Sequence, residues 1–409
     1  ITARTAATEI VGLLLSKGFV AYFAGGCVRD GLLGREPEDF DVATDARPEQ
    51  VKTVFPAAQG VGASFGVMLV RWKGHVIEVA TFRSDGPYSD SRRPDSVAYS
   101  DAASDAARRD FTINALFLDP TARQPTPTGA ASFDTPHGTV LDFHGGRADL
   151  ERRIVRAVGD ADARLREDHL RALRAARFAA RLGFEVEAST VSAIRRHASE
   201  LAGVSRERIG EELRRMLLHP SRARAVGLLR EWTLAVQVFA GVPREGPLSV
   251  LERLPAEVRY PVALAAATLD LSVGVDAHLR RALMLSNEDA GALAYLVAGL
   301  TEVTGVWARL GVAARKRAAA HVLFSDLVIL QEAVEPASGG PIRADVARLA
   351  GDGIGIDPPR LLTGNDLIAQ GWKPGPAFKR VLEEVFDAQL EGRVKSFGEA
   401  RELADRLRV

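Results

Sequence analysis

The chain has 409 residues, of which 46% are apolar and 26% charged, and its formal net charge at pH 7 is zero. This length exceeds a single hydrophobic core and predicts two to four domains. The composition is typical of a soluble globular protein. The sequence has no run of about 18 apolar residues, so no membrane span is expected. The single cysteine, Cys27, excludes an intrachain disulfide and favours a reducing cytoplasm.

Residues 1–150 combine short β-branched and aromatic segments with turn signals, which predicts an α/β or α+β domain. The opening ITARTAATEIVGLLLSKGF has the spacing of an amphipathic helix and not of a signal peptide. Two polar stretches, residues 84–101 and 120–136, are predicted to be loops. The predicted strands lie in FVAYFAGG, DFDVAT, FGVMLVRW, HVIEVATFR and TINALFLD.

The first predicted strand is followed by a glycine-rich turn and then by two aspartates. Gly25 and Gly26 precede Arg29 in GGCVRD, and Asp39 and Asp41 flank a phenylalanine in DFD. In a strand, residues i and i+2 point to the same side, so both carboxylates can hold a pair of divalent ions. Backbone N–H groups after the glycines, together with Arg29, can bind phosphate. Each motif alone is common in surface strands and turns, whereas their succession is much more specific.

Two further features place charge beside apolar segments. Glu78 lies within VIEVA, where an unpaired charge is costly, so it is a candidate third carboxylate near the metals. A salt-bridged edge residue is the alternative. Arg108, Arg109 and Asp110 precede FTINAL, and adjacent arginines at such a position indicate a phosphate or ribose contact. A solvated pair is the alternative there.

After about residue 150 the strand pattern gives way to helical spacing, and residues 151–230 hold eighteen arginines against eleven acidic residues. Within this basic part, EDHLRALRAAR places four charged side chains on one stripe of a predicted helix: Asp168, Arg171, Arg174 and Arg177.

A carboxylate accepts hydrogen bonds and a guanidinium donates them. Asp168 and Arg171 side by side therefore complement the exocyclic amine and ring nitrogen of cytosine or adenine. Uracil and guanine present a carbonyl and a ring N–H instead, and each unpaired partner costs ~1–3 kcal/mol. An ordinary i,i+3 ion pair is the alternative.

Five ordered motifs resemble the class II tRNA nucleotidyltransferase/poly(A) polymerase family: GGCVRDGLLG…DFD, IEVATFR, RRDFTINAL, EDHLRALRAARFAARLGF and SRERIGEELRRML. The C-terminal LLTGNDLIAQGWKPGPAFKRVL is similar to the tail of bacterial members. The resemblance implies a polymerase-β-like nucleotidyltransferase head at residues 1–150, a helical neck at 151–220, a helical body at 221–335 and a helical tail at 336–409. The body and tail are then expected to hold the tRNA acceptor arm.

The resemblance also implies the chemistry. The enzyme would add CCA, from CTP and ATP, to the tRNA 3′ end, with two Mg²⁺ ions on Asp39 and Asp41 and release of pyrophosphate. The residues implied to contact the nucleotide are Gly26, Arg29 and Arg109, Asp110 near the ribose, Asp168 and Arg171 at the base, and Arg174 and Arg177 as further contacts.

Other members of this family make poly(A), add only CC, or add only the terminal A. The segment ASFGVMLV lacks the arginine-rich pattern of poly(A) polymerases, and the C-terminal tail has balanced charge. CC-only enzymes have a shortened flexible loop, whereas this chain keeps a loop as long as that of the full CCA-adding enzymes, which disfavours CC-only addition. The loop is expected to help change the pocket from CTP to ATP. Addition of only the terminal A is not excluded by the sequence. The loop residues are Tyr88, Asp90, Arg92 and Arg93.

Hypotheses from other classes fit less well. A non-catalytic RNA-binding homologue would not need the metal pair, and a transferase acting on a protein or small molecule leaves the helical part unexplained. A C-terminal phosphohydrolase requires a His-Asp metal cluster. The comparable segment has Asp270 without an adjoining histidine, and the eight histidines are scattered without metal-ligand spacing.

Overall fold

The computed structural model describes residues 1–61, 66–86, 96–241, 246–269 and 274–408. The chain separates into two compact units. Unit 1 consists of Ile1–Met216 and Arg224–Val238, and unit 2 of Leu217–Ala223 and Phe239–Val409.

The described strands lie in unit 1, and eight of them form one mixed sheet in the order β3-β4-β5-β2-β1-β8-β10-β9. The strands are β1 (Ala21–Ala24), β2 (Val42–Thr44), β3 (Gln59–Gly60), β4 (Val67–Trp72), β5 (His75–Thr81), β6 (Arg83–Asp85), β7 (Val97–Tyr99), β8 (Leu116–Asp119), β9 (Ala131–Thr135), β10 (Gly138–Asp142), β11 (Ile154–Val155) and β12 (Glu185–Val186). Within the sheet β2 and β5 run parallel, and Val42 pairs with Val79.

Helices flank the sheet and continue beyond it in sequence. The helices of the first part of the chain are α1 (Ala3–Ser16), α2 (Gly26–Leu32), α3 (Pro48–Val54), α4 (Ala102–Ala107), α5 (Gly146–Arg152), α6 (Ala161–Glu167), α7 (Leu170–Leu182), α8 (Ala188–Arg196), α9 (Arg206–Leu217), α10 (Arg222–Glu231) and α11 (Ala235–Val238). Short 3-10 helices cover Thr112–Asn114 and Ala198–Gly203. A mixed sheet followed by helices confirms the predicted α+β class.

The core of the head lies under the centre of the sheet. Tyr22, Phe82 and Phe117 are almost completely buried there, and their ring centroids lie 5.9 to 6.1 Å apart. Because alternate residues of a strand face opposite sides, these aromatic rings occupy one face of the sheet. This packing fixes the strand ends that carry the polar side chains described below.

Each predicted strand segment contains a strand, but the structure corrects three details. Part of the predicted loop 120–136 is the short edge strand β9, whose residues are mostly exposed. The predicted loop 84–101 is closed at its base by the pairing of β6 with β7. A two-residue parallel pair, β11 with β12, follows residue 150, where no strand was expected.

Unit 2 is helical in its described part. Its helices are α12 (Leu248–Arg253), α13 (Tyr260–Thr268), α14 (Val275–Leu283), α15 (Asn287–Glu302), α16 (Val312–Ala319), α17 (Phe324–Val334), α18 (Gly339–Ala350), α19 (Gly364–Ala369), α20 (Pro376–Leu390) and α21 (Phe397–Arg406). Trp372, Val381 and Val385 form part of an apolar cluster near its C-terminal end. Asp270 lies outside the described residues.

Among the described residues, one helical stretch, Asn287–Arg309, is long and apolar enough to cross a membrane by length and composition alone. Within that window 44% is buried in the protein, and Leu293 and Leu296 are fully inaccessible to solvent. A core helix of a globular domain has the same length and composition. This stretch is therefore weak support for a membrane span.

Unit 2 contains one fully buried ammonium group. Lys316 on α16 is 0% exposed, and its Nζ lies 2.6 Å from Oδ2 of Asp352, in the loop after α18. A buried charge that loses its partner is strongly destabilising, whereas an apolar replacement of similar shape is tolerated.

We therefore expect Asp352→Asn to lower the free energy of unfolding by about 3 kcal/mol, measured by urea denaturation. Lys316→Met combined with Asp352→Asn should recover most of the loss. Asp357→Asn, at an exposed acid of the same segment, is the control and should change stability little. A full-size loss in the double variant would contradict the charge-pair explanation.

Candidate functional site

A cleft of about 540 Å³ in unit 1 brings together residues from the sheet and from α7. Every residue predicted to bind metal or nucleotide lines it except Asp39, which lies just outside the lining. The predicted residues in the lining are Gly25, Gly26, Arg29, Asp41, Glu78, Arg109, Asp110, Asp168, Arg171, Arg174 and Arg177. The predicted loop residues Tyr88, Asp90, Arg92 and Arg93 lie outside the described residues.

Gly25 forms the turn between β1 and α2. Its φ is +75°, and a Cβ at this position would lie 2.9 Å from Nη1 of Arg109. Only glycine adopts this backbone without strain, and only glycine leaves room for the guanidinium. The first residues of α2 therefore approach the cleft through their backbone.

Arg29 is 5% exposed and is held in one orientation. Its Nε and Nη2 donate to the carboxylate of Asp30 at 2.8 Å each, and its Nη1 donates to Oδ1 of Asn114 at 2.7 Å. The guanidinium also lies over the ring of Phe178, 5.1 Å from its centroid. An arginine fixed on three sides presents its charge to the cleft without further ordering.

The predicted carboxylates meet at one end of the central strands. Asp39 and Asp41 precede β2 and do not lie within it, which corrects the predicted strand position. The backbone is nevertheless held, since Ala24 N–H donates to the carbonyl of Asp41 at 3.0 Å. The parallel pairing of Val42 with Val79 sets Asp41 beside Glu78. Because β5 lies between β4 and β2, Glu78 is not on an edge strand.

These carboxylates repel one another. Burial raises the pKa of Asp41, the charges of Glu78 and Asp39 raise it further, and Arg109 lowers it, with a net value of about 7. Partial removal from water and the charge of Asp39 raise the pKa of Glu78. Crowded carboxylates with raised pKa values are typical of sites that bind a cation or exchange a proton.

Arg108 and Arg109 are anchored by an acid that the sequence analysis did not single out. Asp105 on α4 is 1% exposed and accepts from Arg108 Nη2 at 2.6 Å and from Arg109 Nη2 at 3.0 Å. Burial alone would raise the pKa of Asp105, but the two guanidinium groups hold it below its usual value. The arginines are therefore not a free solvated pair. The i,i+3 and i,i+4 spacing from Asp105 was a usable signal.

Asp110 connects the sheet part to α7 within unit 1. Its Oδ2 accepts from Arg174 Nη2 at 2.6 Å and its Oδ1 accepts from Asn114 Nδ2 at 3.0 Å. Burial would raise the pKa of Asp110, but Arg174 and Asn114 lower it to about 2. Asp110 is therefore ionised and committed to hydrogen bonds on both oxygens.

The predicted base-reading pair is arranged differently from the expectation. Asp168 is not in a helix: it is an extended residue that ends α6, and α7 begins at Leu170. Its Oδ2 accepts from Arg208 on α9 at 2.6 Å. Arg171 donates to Glu167 Oε2 at 2.7 Å. The two side chains thus line the same cleft, but each is held by a different partner.

Further contacts fix the orientation of Arg171. Its Nη1 donates to the carbonyl of Arg164 at 2.8 Å and its Nη2 to the carbonyl of Arg108 at 3.0 Å. Glu167 is adjacent to Asp168 in sequence and could have been recognised by its i,i+4 spacing to Arg171. Arg208 lies forty residues from Asp168, and no local pattern indicates that contact.

Arg174 and Arg177 extend the same helix stripe and surround one aromatic ring. Arg177 Nε donates to Oε2 of Glu212, a buried acid on α9, at 2.7 Å. Both guanidinium groups lie over Phe178, at 5.4 and 4.4 Å from its centroid. Glu212 and Phe178 were not predicted, since an acid and an aromatic residue on a helix are usually read as surface and core.

Two segments of the chain match models of known protein families. The model of the poly A polymerase head domain matches residues 21–156, and that of a probable RNA and SrmB-binding site of polymerase A matches residues 183–243. The CCA-adding enzyme of Geobacillus thermodenitrificans (strain NG80-2) is 35% identical over 405 residues, covering 95% of this chain and 93% of that enzyme.

The chain belongs to the CCA-adding enzyme family. A further family member, the CCA-adding enzyme of Limosilactobacillus fermentum (strain NBRC 3956 / LMG 18251), is 32% identical over 400 residues, which are 95% of this chain and 93% of that enzyme. Among solved structures, the Bacillus stearothermophilus CCA-adding enzyme in complex with CTP has a TM-score of 0.77 and 30% identity. The match covers 100% of this chain and 98% of that one. These matches confirm the predicted family and the polymerase-type head.

The raised pKa of Asp41 predicts a pH-dependent stability in metal-free protein. A carboxyl group with a raised pKa in the folded state stabilises the fold below its unfolded pKa, near 4, and loses that contribution as pH rises through about 7. Asp41→Asn should therefore match wild type near pH 4 and exceed it at pH 8 by about 2–4 kcal/mol, at roughly 1.4 kcal/mol per pKa unit.

The measurement is urea denaturation in EDTA across this pH range. Glu36→Gln, at an exposed acid of the same unit, is the control and should follow the wild-type pH profile. If Asp41→Asn also followed that profile, the carboxylates would not repel one another as described.

Proposed function

We infer that this chain adds CCA to the 3′ end of tRNA from CTP and ATP, without a nucleic-acid template. The observation that carries the inference is one cleft in which Asp41 and Glu78 stand near Asp168 and Arg171. Full-length similarity to CCA-adding enzymes supports the same activity. The basic arginines of α7 between these two groups suit a triphosphate.

We propose that Asp39 and Asp41 hold two Mg²⁺ ions, with Glu78 as a third carboxylate beside them. The donors are all oxygen atoms, which Mg²⁺ prefers. Burial and the charges of Glu78 and Asp39 raise the pKa of Asp41, and a bound cation relieves the repulsion among these carboxylates. When bound, the ions lower the pKa of the attacking hydroxyl and neutralise the leaving pyrophosphate.

The remaining roles follow from which groups are fixed at the cleft. We propose that the backbone at Gly25 and Gly26, with Arg29 and Arg109, binds the triphosphate. Asp110 is proposed near the ribose, and Arg174 and Arg177 as further nucleotide contacts. The primer 3′-hydroxyl then attacks the α-phosphate in line and pyrophosphate leaves. No covalent enzyme intermediate is required.

Base choice is assigned to Asp168 and Arg171. Arg208 donates to Oδ2 of Asp168, and the backbone N–H of Leu170 donates to Oδ1 at 3.1 Å. The second lone pair of Oδ1 is the acceptor proposed for an exocyclic amine. Arg171 is oriented by Glu167 and two carbonyls, and its remaining donor capacity is proposed for the ring nitrogen of cytosine or adenine. Uracil and guanine would leave these groups unpaired.

We further propose the division into a head (1–150), a neck (151–220), a body (221–335) and a tail (336–409), with body and tail holding the acceptor arm of tRNA. A cytoplasmic location is proposed from the single reduced cysteine. A-only addition is the second candidate. The match to a poly A polymerase head domain keeps poly(A) synthesis as the third.

One gel distinguishes these activities. Purified protein is given tRNAs ending before CCA, after C and after CC, with CTP and ATP separately and together. We expect addition to stop after the final A on all three primers. The primers that end before CCA and after C should need both nucleotides, and the primer that ends after CC should need ATP alone. Asp39→Ala should lose incorporation at least ~10³-fold, because metal positioning is removed, while tRNA binding by filter retention survives. Extension beyond one A, or use of the CC primer alone, would replace CCA addition by poly(A) or A-only activity.

Arg171→Ala and Arg171→Lys test the base reader. Both remove the planar fork of donors, so discrimination between CTP and UTP should fall ~10–100-fold, measured as the ratio of kcat/KM values. Triphosphate binding should weaken less. Arg195→Ala, at an exposed arginine of α8, is the control. Unchanged discrimination between CTP and UTP in both variants would exclude Arg171 from base selection.

A further inference from the structure

A second cluster of polar side chains lies in unit 1 outside the cleft lining. It consists of Asp162 on α6, His169 just before α7, His197 at the end of α8, and Glu200 in the following 3-10 helix. The two histidines are twenty-eight residues apart in sequence. This separation explains why the sequence analysis found no metal-ligand spacing at these positions.

The geometry of three of these side chains suits one transition-metal ion. Oε2 of Glu200 lies 2.8 Å from Nδ1 of His197 and 3.5 Å from Nε2 of His169. The potential ligand atoms of the three residues all lie within 4.8 Å of one another. Zn²⁺ with bonds of 2.0–2.1 Å in tetrahedral geometry separates its ligand atoms by about 3.3 Å. Small side-chain adjustments satisfy this requirement.

The surroundings of His197 have the form of an outer shell around a metal ligand. Its Nε2 lies 3.0 Å from Oδ1 of Asp162. An Nε2–H that donates to this carboxylate leaves the lone pair of Nδ1 directed at Glu200. A carboxylate on the far nitrogen of a histidine fixes its tautomer and strengthens it as a metal ligand.

A metal-free explanation covers only half of the cluster. A doubly protonated His197 could donate to Asp162 and Glu200 at once. Arg166 and Arg196 also pair with Asp162, so that carboxylate does not need a charged histidine. His169 remains unexplained in this arrangement. It is 8% exposed and interacts with the backbone of Leu165, but its Nε2 lies 3.5 Å from Oε2 of Glu200, longer than a normal hydrogen bond.

We propose that His169, His197 and Glu200 form a Zn²⁺ site with water as the fourth ligand. Two imidazoles and one carboxylate favour Zn²⁺ over Mg²⁺, which prefers oxygen ligands. Glu200 is about half exposed, 47% for its side chain, and provides the route for exchange. The ion ties the end of α8 to the residue that follows Asp168. It therefore holds the backbone of the proposed base reader in place.

The test uses the full chain, stripped of metal and then kept in excess Mg²⁺ so that oxygen-rich sites are occupied. Zn²⁺ binding is measured by competition with a chromogenic chelator, and Co²⁺ binding by its visible absorption, which is intense for tetrahedral sites. We expect one equivalent in wild type and in Asp39→Ala. His169→Asn and His197→Asn should each lose it by at least ~100-fold in affinity, and Asp162→Asn by ~10–100-fold.

His137→Asn, at an exposed histidine of the head, is the matched control and should bind as wild type. Far-UV circular dichroism verifies that each variant is folded. Wild-type protein without a tight equivalent of Zn²⁺, or His169→Asn with unchanged affinity, would overturn the site. Nucleotide incorporation is not part of this readout, so failure of CCA addition and failure of the zinc site are separate results.

Discussion

The cleft depends on one constraint: the parallel pairing of β2 with β5 holds carboxylates side by side at the end of the sheet. Burial raises the pKa of Asp41, and the neighbouring charges of Glu78 and Asp39 raise it further. The backbone register keeps Asp41 and Glu78 next to each other. The strand pairing therefore determines where a compensating positive charge has to lie: beside these carboxylates.

The arginines of the cleft are also held in fixed positions, in their case by ion pairs. Most of the cleft arginines are held by a carboxylate that is itself partly or fully buried, so that the guanidinium groups keep their orientation before any ligand arrives. These pairs are Arg29 with Asp30, Arg109 with Asp105, Arg171 with Glu167, Arg174 with Asp110, and Arg177 with Glu212. A preorganised set of charges costs little reorganisation when a polyanion binds.

The sequence was sufficient for the class of fold and for most cleft residues, because these sit in contiguous motifs next to apolar segments of clear period. It was insufficient where contacts join distant segments. Arg208 reaches Asp168 across forty residues, and His169 meets His197 only because α6, α7 and α8 pack together. The helix position assumed for Asp168 was wrong, since nothing in EDHLR marks the break between two helices. β9 was missed because it is short and lies in a stretch rich in threonine, proline and alanine, which is typical of a loop.

Asp168 occupies a single extended residue between two helices, whereas Arg171 is embedded in the first turn of α7. The backbone that carries the carboxylate therefore lies outside both helices, and Arg208 and the backbone N–H of Leu170 hold the carboxylate itself. One residue inserted or deleted at this junction would displace the carboxylate by about 3.3 Å relative to the helix, and the register of the strand-end acids would stay intact. If Asp168 selects the base as proposed, a length change at this one junction alters monomer preference and leaves the strand-end acids in place.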